Sequence, residues 1–453
     1  MILGFLFLLI YGIFTYLLIR KIYYGESFYL LLYILFFLPV YSVFQLIVFK
    51  ITQNIFFVDL IKYSKDFVIF SSFFVLIFGN RKSIINRKFQ ITFLDKLVIF
   101  FIGISIIYAF IPLGPASLFV KAVYLKNILL IGIVYFIGKN TNISLEKFKF
   151  LKKALIGLFL LAFFISTLEY LIGAHLHSIL DYANYNLLIN DIEPTGNFGL
   201  SWTFERGPDH PRFASFFSNP LEYSANLLLF LTIPLFHLIH NSKNRGSYFF
   251  LLIIAGISFY YAYSRASIIS GFLMIILALI MNKNFKTIIN LFLVLMLFSF
   301  IFYLSDSEEM LYYIIDTFTF NESSSLSHLL EWIQAGISIF ENPFGIGLAM
   351  SGNATGVDQA IKIGGENQFL IYGVQMGIVS LLIYSLMLFK AIKDSIDLYK
   401  SSNDYKKELS FLVGLTKFGL LIPLFTANVE LYMFISLFSW FLVGHIQKLK
   451  LEN

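Results

Sequence analysis

The chain has 453 residues, of which 58% are hydrophobic and only 13% are charged, and its mean hydropathy is +0.80. This composition excludes an ordinary soluble domain and is typical of a polytopic membrane protein. The net charge of +6 does not indicate nucleic-acid binding, because Lys and Arg lie mainly in short loops between apolar segments and form no basic domain.

Apolar segments of about 20 residues, the length of helix that crosses a bilayer, recur along the chain. They lie near residues 1–19, 27–49, 58–79, 95–113, 116–138, 152–173, 221–239, 247–262, 266–281, 285–304, 367–390, 409–427 and 430–446. The first segment has no basic start and no small-residue cleavage site, so we expect a retained span and not a signal peptide. The predicted fold is all-α, a single integral membrane domain over residues 1–453 built as a transmembrane bundle of about 12–13 helices.

Clusters of basic side chains fall in alternate loops between these segments. The clusters are Arg20 and Lys21; Arg81, Lys82, Arg87 and Lys88; Lys147, Lys149, Lys152 and Lys153; Lys243 and Arg245; Lys283 and Lys286; and Lys390, Lys393, Lys400, Lys406 and Lys407. Because loops rich in Lys and Arg stay in the cytoplasm, these loops are predicted to be cytoplasmic. The N-terminus is then outside and the C-terminus inside.

Two long loops, 174–220 and 305–366, fall on the predicted external side. In the second loop, apolar residues recur at helical spacing over residues 325–340, which predicts an amphipathic helix that ends before Asn342 and Pro343.

Three arginines, Arg206, Arg212 and Arg265, lie on the predicted external side, where basic residues are normally depleted. Guanidinium groups bind phosphate well at partly dry interfaces, so these residues indicate a site for an anionic ligand. The alternative is that they anchor the interface or pair with nearby acidic residues. That alternative is strongest for Arg206, which has Glu205 beside it, and weakest for Arg265, which has no acidic neighbour in the sequence.

Lysines in the outer halves of two predicted spans are further candidates. We expect Asp59 and Asp66 to neutralise Lys62 and Lys65 in the third span. In the fifth span, Lys121 and Lys126 have no acidic neighbour in the sequence, which leaves anion binding open. Lys417 lies near the middle of the twelfth span and either snorkels to the surface or lines a polar cavity.

Glu366 directly precedes an apolar span and follows two glycines, so it is the candidate general base. The alternative is a helix N-terminal Glu favoured by the helix dipole. His210 and His328 are other candidate proton acceptors.

No motif predicts a cofactor. The pair His175 and His177 has no matching carboxylate cluster, the chain has no Cys, and no Gly-rich loop enters a helix as a nucleotide site requires. We therefore expect neither a metal nor a nucleotide.

Three motifs in order resemble the O-antigen polymerase and ligase family of integral-membrane glycosyltransferases. They are 212–220 (RFASFFSNP), 263–267 (YSRAS), and 341–347 (ENPFGIG) followed by 366–370 (ENQFL). The likeness extends roughly from residue 206 to residue 388. Two positions depart from the family pattern: Glu366 stands where the family often has His, and His328 stands where it often has Arg ahead of Trp332. The missing His weakens the case for the ligase branch.

The resemblance implies a polymerase that transfers an undecaprenyl-diphosphate-linked glycan onto the non-reducing end of another lipid-linked repeat unit. It implies an inverting, metal-independent reaction at the outer face of the bacterial cytoplasmic membrane, with membrane lipid and a chain-length regulator protein as partners. Arg265 and Arg212 would stabilise the departing diphosphate, and Glu366 would be the base. Secondary contacts to the carrier and sugars are expected from Arg206, Lys121, Lys126, His210, His328, Trp332 and Asn367.

Three other functions stay open. A ligase would transfer the glycan to a lipid A core or to protein. A flippase or transporter for lipid-linked glycan belongs to another class, and such folds commonly contain repeats and broken helices; no repeat is visible in the sequence. The third possibility, a structural membrane subunit, would not explain the three external arginines.

Overall fold

The computed structural model describes residues 2–79, 90–207, 210–240, 244–282, 319, 323–352 and 362–452. Within these ranges helices dominate, and the strands form one short antiparallel pair. The predicted span 285–304, most of the second long loop, the basic residues at 81–88, and Lys243, Lys283 and Lys286 lie outside the described residues.

The first half of the described chain is helical except for a short irregular stretch. Its helices are α1 (Ile2–Tyr23), α2 (Phe28–Phe37), α3 (Tyr41–Thr52), α4 (Ile55–Gly79), α5 (Phe93–Phe110), α6 (Leu118–Asn140), α7 (Leu145–Ile172), α8 (Leu176–Ile179) and α9 (Tyr182–Tyr185). A π-helical turn (Asn186–Asn190), a 3₁₀ turn (Trp202–Phe204) and strands β1 (Glu205–Gly207) and β2 (His210–Pro211) follow.

The second half returns to long helices. They are α10 (Pro220–Ile239), α11 (Arg245–Ala262), α12 (Arg265–Asn282), α13 (Ser323–Glu341), α14 (Gln368–Ser401), α15 (Asp404–Gly419), α16 (Leu421–Thr426) and α17 (Met433–Glu452), with a 3₁₀ turn (Val429–Leu431) before α17.

Among the described residues, 8 helices are long and apolar enough to cross a membrane, and the number rises to 9 if α2 and α3 form one bent span. The eight are α5, α6, α7, α10, α11, α12, α14, and α15 together with α16. This agrees with the predicted polytopic helical bundle. The amphipathic helix predicted at 325–340 is also present, as α13.

Side-chain caps explain where several spans begin. Thr92 and Asp95 form a reciprocal capping box at the start of α5, and the hydroxyls of Ser117 and Ser144 accept backbone N–H groups at the starts of α6 and α7. Asn219 caps α10 in the same way. Because the first N–H groups of a helix have no partner within it, these caps stabilise the ends that leave the apolar layer.

Helix α10 lies at the centre of the bundle, since 89% of its most apolar 18-residue stretch is buried. Elsewhere, α6 and α17 approach each other so closely that only glycine fits. A Cβ at Gly138 would lie 2.0 Å from the carbonyl oxygen of Phe441, and one at Gly444 would lie 2.0 Å from that of Tyr135. Small residues at such crossings let helix backbones pack directly in a membrane bundle.

Two helices are broken. The chain bends by 59° between α2 and α3, where Pro39 cannot continue the helical hydrogen bonds. Helix α14 contains Gly377 at φ 82°, and residues 342–347 fill the break. The carbonyl of Pro343 accepts the N–H of Ile378 at 3.0 Å, and the N–H of Gly347 donates to the carbonyl of Gln375 at 3.0 Å.

Substitution of Gly377 by Ala should destabilise the protein. Its φ is unfavourable for Ala, and a Cβ would lie 2.4 Å from the carbonyl oxygen of Pro343. We expect the free energy of unfolding to fall by about 1–3 kcal/mol, measured by thermal unfolding in detergent. The control is Gly157→Ala in α7, where a Cβ meets no atom within 4 Å. Equal unfolding of both variants would contradict this account of the break.

Candidate functional site

Arg265 opens α12 directly after a sharp corner. Tyr263 caps the end of α11 in the left-handed conformation at φ 43°, and α12 begins two residues later. The guanidinium is half-buried, and its Nη1 donates to the hydroxyl of Ser325 at 3.4 Å. Ser325 belongs to the first turn of α13, so this contact joins the corner to the amphipathic helix.

The face of α13 that looks toward this corner carries His328 and Glu331, one turn apart. The Nδ1 of His328 lies 3.6 Å from the Oε2 of Glu331. The Glu331 carboxylate also packs against the backbone of Gly365, where a Cβ would come within 1.6 Å of Oε2. Only glycine at position 365 leaves room for this carboxylate.

Glu366 follows that glycine and is half-buried. The next residue, Asn367, is buried, and its Oδ1 accepts the N–H groups of Phe369 at 3.0 Å and Leu370 at 3.2 Å. Asn367 therefore caps the N-terminus of α14 and fixes where the helix begins. The backbone at Glu366 is thus held between the tight contact of Gly365 and the capped end of α14.

Electrostatics place these side chains in one neighbourhood. The pKa of His328 is raised above its ordinary value of 6.5, first by its contact with Glu331 and then by the negative charges of Glu366 and Glu331. Burial and the positive charge of Arg265 oppose the rise. The site cluster is therefore defined as Arg265, His328, Glu331 and Glu366.

Glu222 and Tyr432 lie beside the site cluster. The pKa of Tyr432 is raised well above its ordinary value by burial, and next by the negative charges of Glu366 and Glu222. Glu222 lies in the first turn of α10, and the hydroxyl of Ser224 in that turn lies 2.9 Å from the hydroxyl of Ser267 in α12. The beginnings of α10 and α12 are thereby joined at the site cluster.

The main chain of Arg212 lies close to the end of α11. Its N–H donates to the carbonyl of Phe204 at 2.7 Å, and the N–H of the next residue, Phe213, donates to the carbonyl of Tyr261 at 2.9 Å. Tyr261 precedes Arg265 by only four residues. The structure thus brings the segment of Arg212 to the same corner, with a half-buried side chain.

Glu169 holds this segment in place, a role that the sequence did not reveal. Its carboxylate, near the end of α7, accepts the N–H of Leu176 at 2.8 Å and the N–H of Ser215 at 2.8 Å. The side chain is 4% exposed. These two hydrogen bonds tie the segments of Leu176 and Ser215 to the end of α7.

The remaining candidates of the first long loop lie on the strand pair. Arg206 is in β1, and nothing is described of its side chain; His210 is in β2 and is exposed.

On α13, the indole Nε1–H of Trp332 is buried without a hydrogen-bond partner among the described residues.

Lys121 and Lys126 have partners that the sequence did not predict. The Nζ of Lys126 lies 2.6 Å from Oδ2 of Asp66 in α4, so the expectation that it lacks an acidic partner is wrong. Lys65 contacts the other oxygen of Asp66 at 3.7 Å. The Nζ of Lys121 donates to the carbonyl of Ile111 at 2.8 Å and so caps the end of α5. Both partners are distant in sequence, which is why spacing did not show them.

Lys417 does not reach the surface. The side chain is 2% exposed, and its Nζ lies 3.9 Å from the ring centre of Trp440. Nearby, Glu430 accepts the hydroxyl of Tyr384 at 2.6 Å and the indole N–H of Trp440 at 3.0 Å. This buried carboxylate, like Glu331, was missed by the sequence analysis. The i, i+3 spacing from His328 was a usable signal for Glu331, whereas the Glu430 cluster forms only by folding.

His175 and His177 lie among aromatic rings and not among carboxylates. Their neighbours include Phe204 and Phe213, and burial lowers the pKa of His175 to about 4 and that of His177 to about 3. Both rings are therefore neutral at physiological pH. Within the part of the chain that the structure describes, no group of three or more His, Asp or Glu side chains could hold a metal ion.

Comparisons of the chain with protein-family models, with curated proteins and with solved structures found no match.

Removal of Asp66 should destabilise the bundle. Asp66→Asn leaves the buried Lys65 and the partly buried Lys126 without their carboxylate. We expect a loss of about 3 kcal/mol in unfolding free energy, measured by thermal or denaturant unfolding. Asp59→Asn in the same helix is the control, because no ion pair within 4 Å is seen for Asp59 among the described residues. An unchanged free energy of unfolding in Asp66→Asn would show that the contacts of Asp66 with Lys65 and Lys126 do not stabilise the protein.

The contact between His328 and Glu331 should depend on pH. Because the folded pKa of His328 is raised, its stabilisation is fully present below about pH 6.5 and is lost as pH rises through the raised pKa. We expect about 1 kcal/mol less protection of α13 amides at the high-pH end, measured by hydrogen exchange corrected for intrinsic rates. His328→Gln should flatten the profile, and an unchanged profile in that variant would rule out this pair as the cause.

Proposed function

We propose that this chain is an integral-membrane glycosyltransferase that uses a polyprenyl-diphosphate-linked glycan, and that it acts as a polymerase of lipid-linked repeat units. The observation that carries the proposal is the site cluster itself: a guanidinium, an imidazole and two carboxylates meet where several apolar helices begin. The motif resemblance points to the same chemistry. The localisation that goes with it is the bacterial cytoplasmic membrane, with the site on the outer face.

The reaction requires a base and a stabiliser of negative charge. The acceptor sugar hydroxyl forms a bond to the anomeric carbon of the donor glycan as the bond from that carbon to the diphosphate oxygen breaks. The hydroxyl proton passes to Glu366, and the bonding electrons leave with the diphosphate. No metal takes part.

Arg265 and Arg212 are assigned to the departing diphosphate. A half-buried guanidinium acts in a medium of lower dielectric than water, so its attraction to growing negative charge is stronger than at an exposed position. The segment of Arg212 is held at the corner of Arg265 by backbone hydrogen bonds, which supports a shared role.

The neighbours of Glu366 suit a base. Glu366 lies close enough to His328 for its negative charge to raise the pKa of that imidazole. Trp332 lies on the same helix as His328, and its buried indole N–H is a donor for a sugar hydroxyl. Lys121 and Lys126 already make structural contacts, and Asn367 caps a helix, so the proposal gives these three no direct role.

A ligase is the nearest alternative. It would use the same donor, base and arginines, and it would differ only in the acceptor, a lipid A core or a protein. Product analysis separates the two, because a polymerase yields a long carrier-linked chain.

A transporter of lipid-linked glycan is the second candidate, and one specific observation favours it. The break between α2 and α3 lies beside the buried Lys65 and Asp66 and the partly buried Lys126, since Lys65 donates to the hydroxyl of Tyr41 in the first turn of α3 at 3.2 Å. Broken helices beside charged groups are typical of carriers. Turnover of a defined carrier-linked oligosaccharide in detergent, where no gradient exists, distinguishes an enzyme from a carrier.

Substitutions in the site cluster should abolish chain extension. In cells lacking the native enzyme, Arg265→Ala and Glu366→Gln are each expected to slow extension of lipid-linked repeat units by about 100-fold, measured by gel analysis of the products. The control is Arg245→Ala, an exposed arginine at the other end of α11 that contacts the carbonyl of Leu238. Extension at the wild-type rate by either site variant, once its membrane insertion is verified, would refute the mechanism.

A further inference from the structure

Helix α13 exposes an apolar stripe and buries its more polar side. The stripe consists of Leu326, Leu330, Ile333, Ile337 and Phe340, and Phe344 continues it beyond the helix; these side chains are 44–89% exposed. A helix on a water-facing surface shows the opposite arrangement, with its apolar face inward.

The covered face of α13 is occupied by its own protein. Ser325, Ala335, Ser338 and Ile339 are buried, and His328 and Glu331 turn toward the site cluster. The helix is thus fixed on the bundle by one face, and the orientation of the stripe follows from that attachment.

The stripe continues into the surface of the spanning helices. The hydroxyl of Tyr108, in the last turn of α5, donates to the carbonyl of Phe344, and a Cβ at Gly347 would lie 2.4 Å from the carbonyl oxygen of Leu113. At the same rim, Phe110 of α5 and Phe119 of α6 are 73% and 76% exposed. Since α5 and α6 are long and apolar enough to cross the membrane, their exposed aromatic side chains face lipid.

We propose that α13 lies in the membrane interface, with its apolar stripe among lipid acyl chains and its covered face on the site cluster. The occupant of the stripe is bilayer lipid, because its six side chains are apolar and uncharged and Phe344 at its end contacts spanning helix α5. Helix α13 then forms a wall between the site cluster and the bilayer. This inference concerns the position of the helix and holds whether or not the glycosyl transfer proposed above is right.

The native chain contains no Cys, so single nitroxide labels report one position each. The experiment places the full-length protein in phospholipid nanodiscs and labels Leu330→Cys and Ile337→Cys on the stripe. Accessibility to oxygen, which concentrates in lipid, is compared with accessibility to a neutral nickel complex, which stays in water. Phe164→Cys, exposed on spanning helix α7, is the lipid reference, and Glu193→Cys, exposed before β1, is the water reference.

Both stripe labels are expected to match the lipid reference, with oxygen access and loss of access to the nickel complex. Access to the nickel complex equal to that at Glu193→Cys would overturn the proposal, because the stripe would then face water. Exclusion of both reagents would also overturn it, because another protein surface would then cover the stripe. Ile333→Cys gives an independent reading on the same stripe if one variant fails to insert.

Discussion

Charge inside an apolar helical bundle is costly unless it is paired, and this constraint determines where many ionisable side chains of the protein lie. Four carboxylates whose side chains are at most 13% exposed each contact a lysine. The pairs are Asp66 with Lys126 at 2.6 Å, Asp95 with Lys139, Glu408 with Lys152 at 2.8 Å, and Asp394 with Lys390 at 2.7 Å. Carboxylates without a lysine at contact distance take neutral donors, as Glu169 does from two backbone N–H groups and Glu430 does from hydroxyl and indole groups. Three of the four lysine pairs join different helices, whereas Lys390 and Asp394 lie one turn apart in α14.

The same constraint shapes the site cluster. A guanidinium, an imidazole and two carboxylates share one half-buried neighbourhood, and the negative charges of Glu366 and Glu331 favour the protonated form of His328. They come from three separate segments, the corner before α12, helix α13 and the turn before α14. A cluster assembled in this way is sensitive to the position of α13, which is why the contact of that helix with the bilayer matters for the chemistry of the site.

Backbone geometry explains motifs that resemble a family signature. Gly345 is needed because a Cβ there would lie 2.6 Å from the N of Gly377 in the break of α14, and Gly347 is needed because a Cβ there would lie 2.4 Å from the carbonyl oxygen of Leu113. The break places the short first part of α14, and with it Asn367 and Glu366, against the loop. The motif at residues 343–347 therefore also has a packing role, because it helps to position Glu366, the candidate base.

The sequence by itself determined the class of protein, the positions of most spanning helices and the amphipathic helix α13, because hydrophobic length and helical periodicity are local properties of the chain. It also singled out Arg265, His328 and Glu366, since a polar or charged side chain close to an apolar span can be recognised from the sequence alone. Only the tertiary structure decided which charges are paired. Asp66 reaches Lys126 across 60 residues, and Tyr384 reaches Glu430 across 46, and no spacing rule connects them. The physical reason is that a charge in a medium of low dielectric takes whichever partner the helix packing brings within contact distance, and helix packing is a property of the whole bundle.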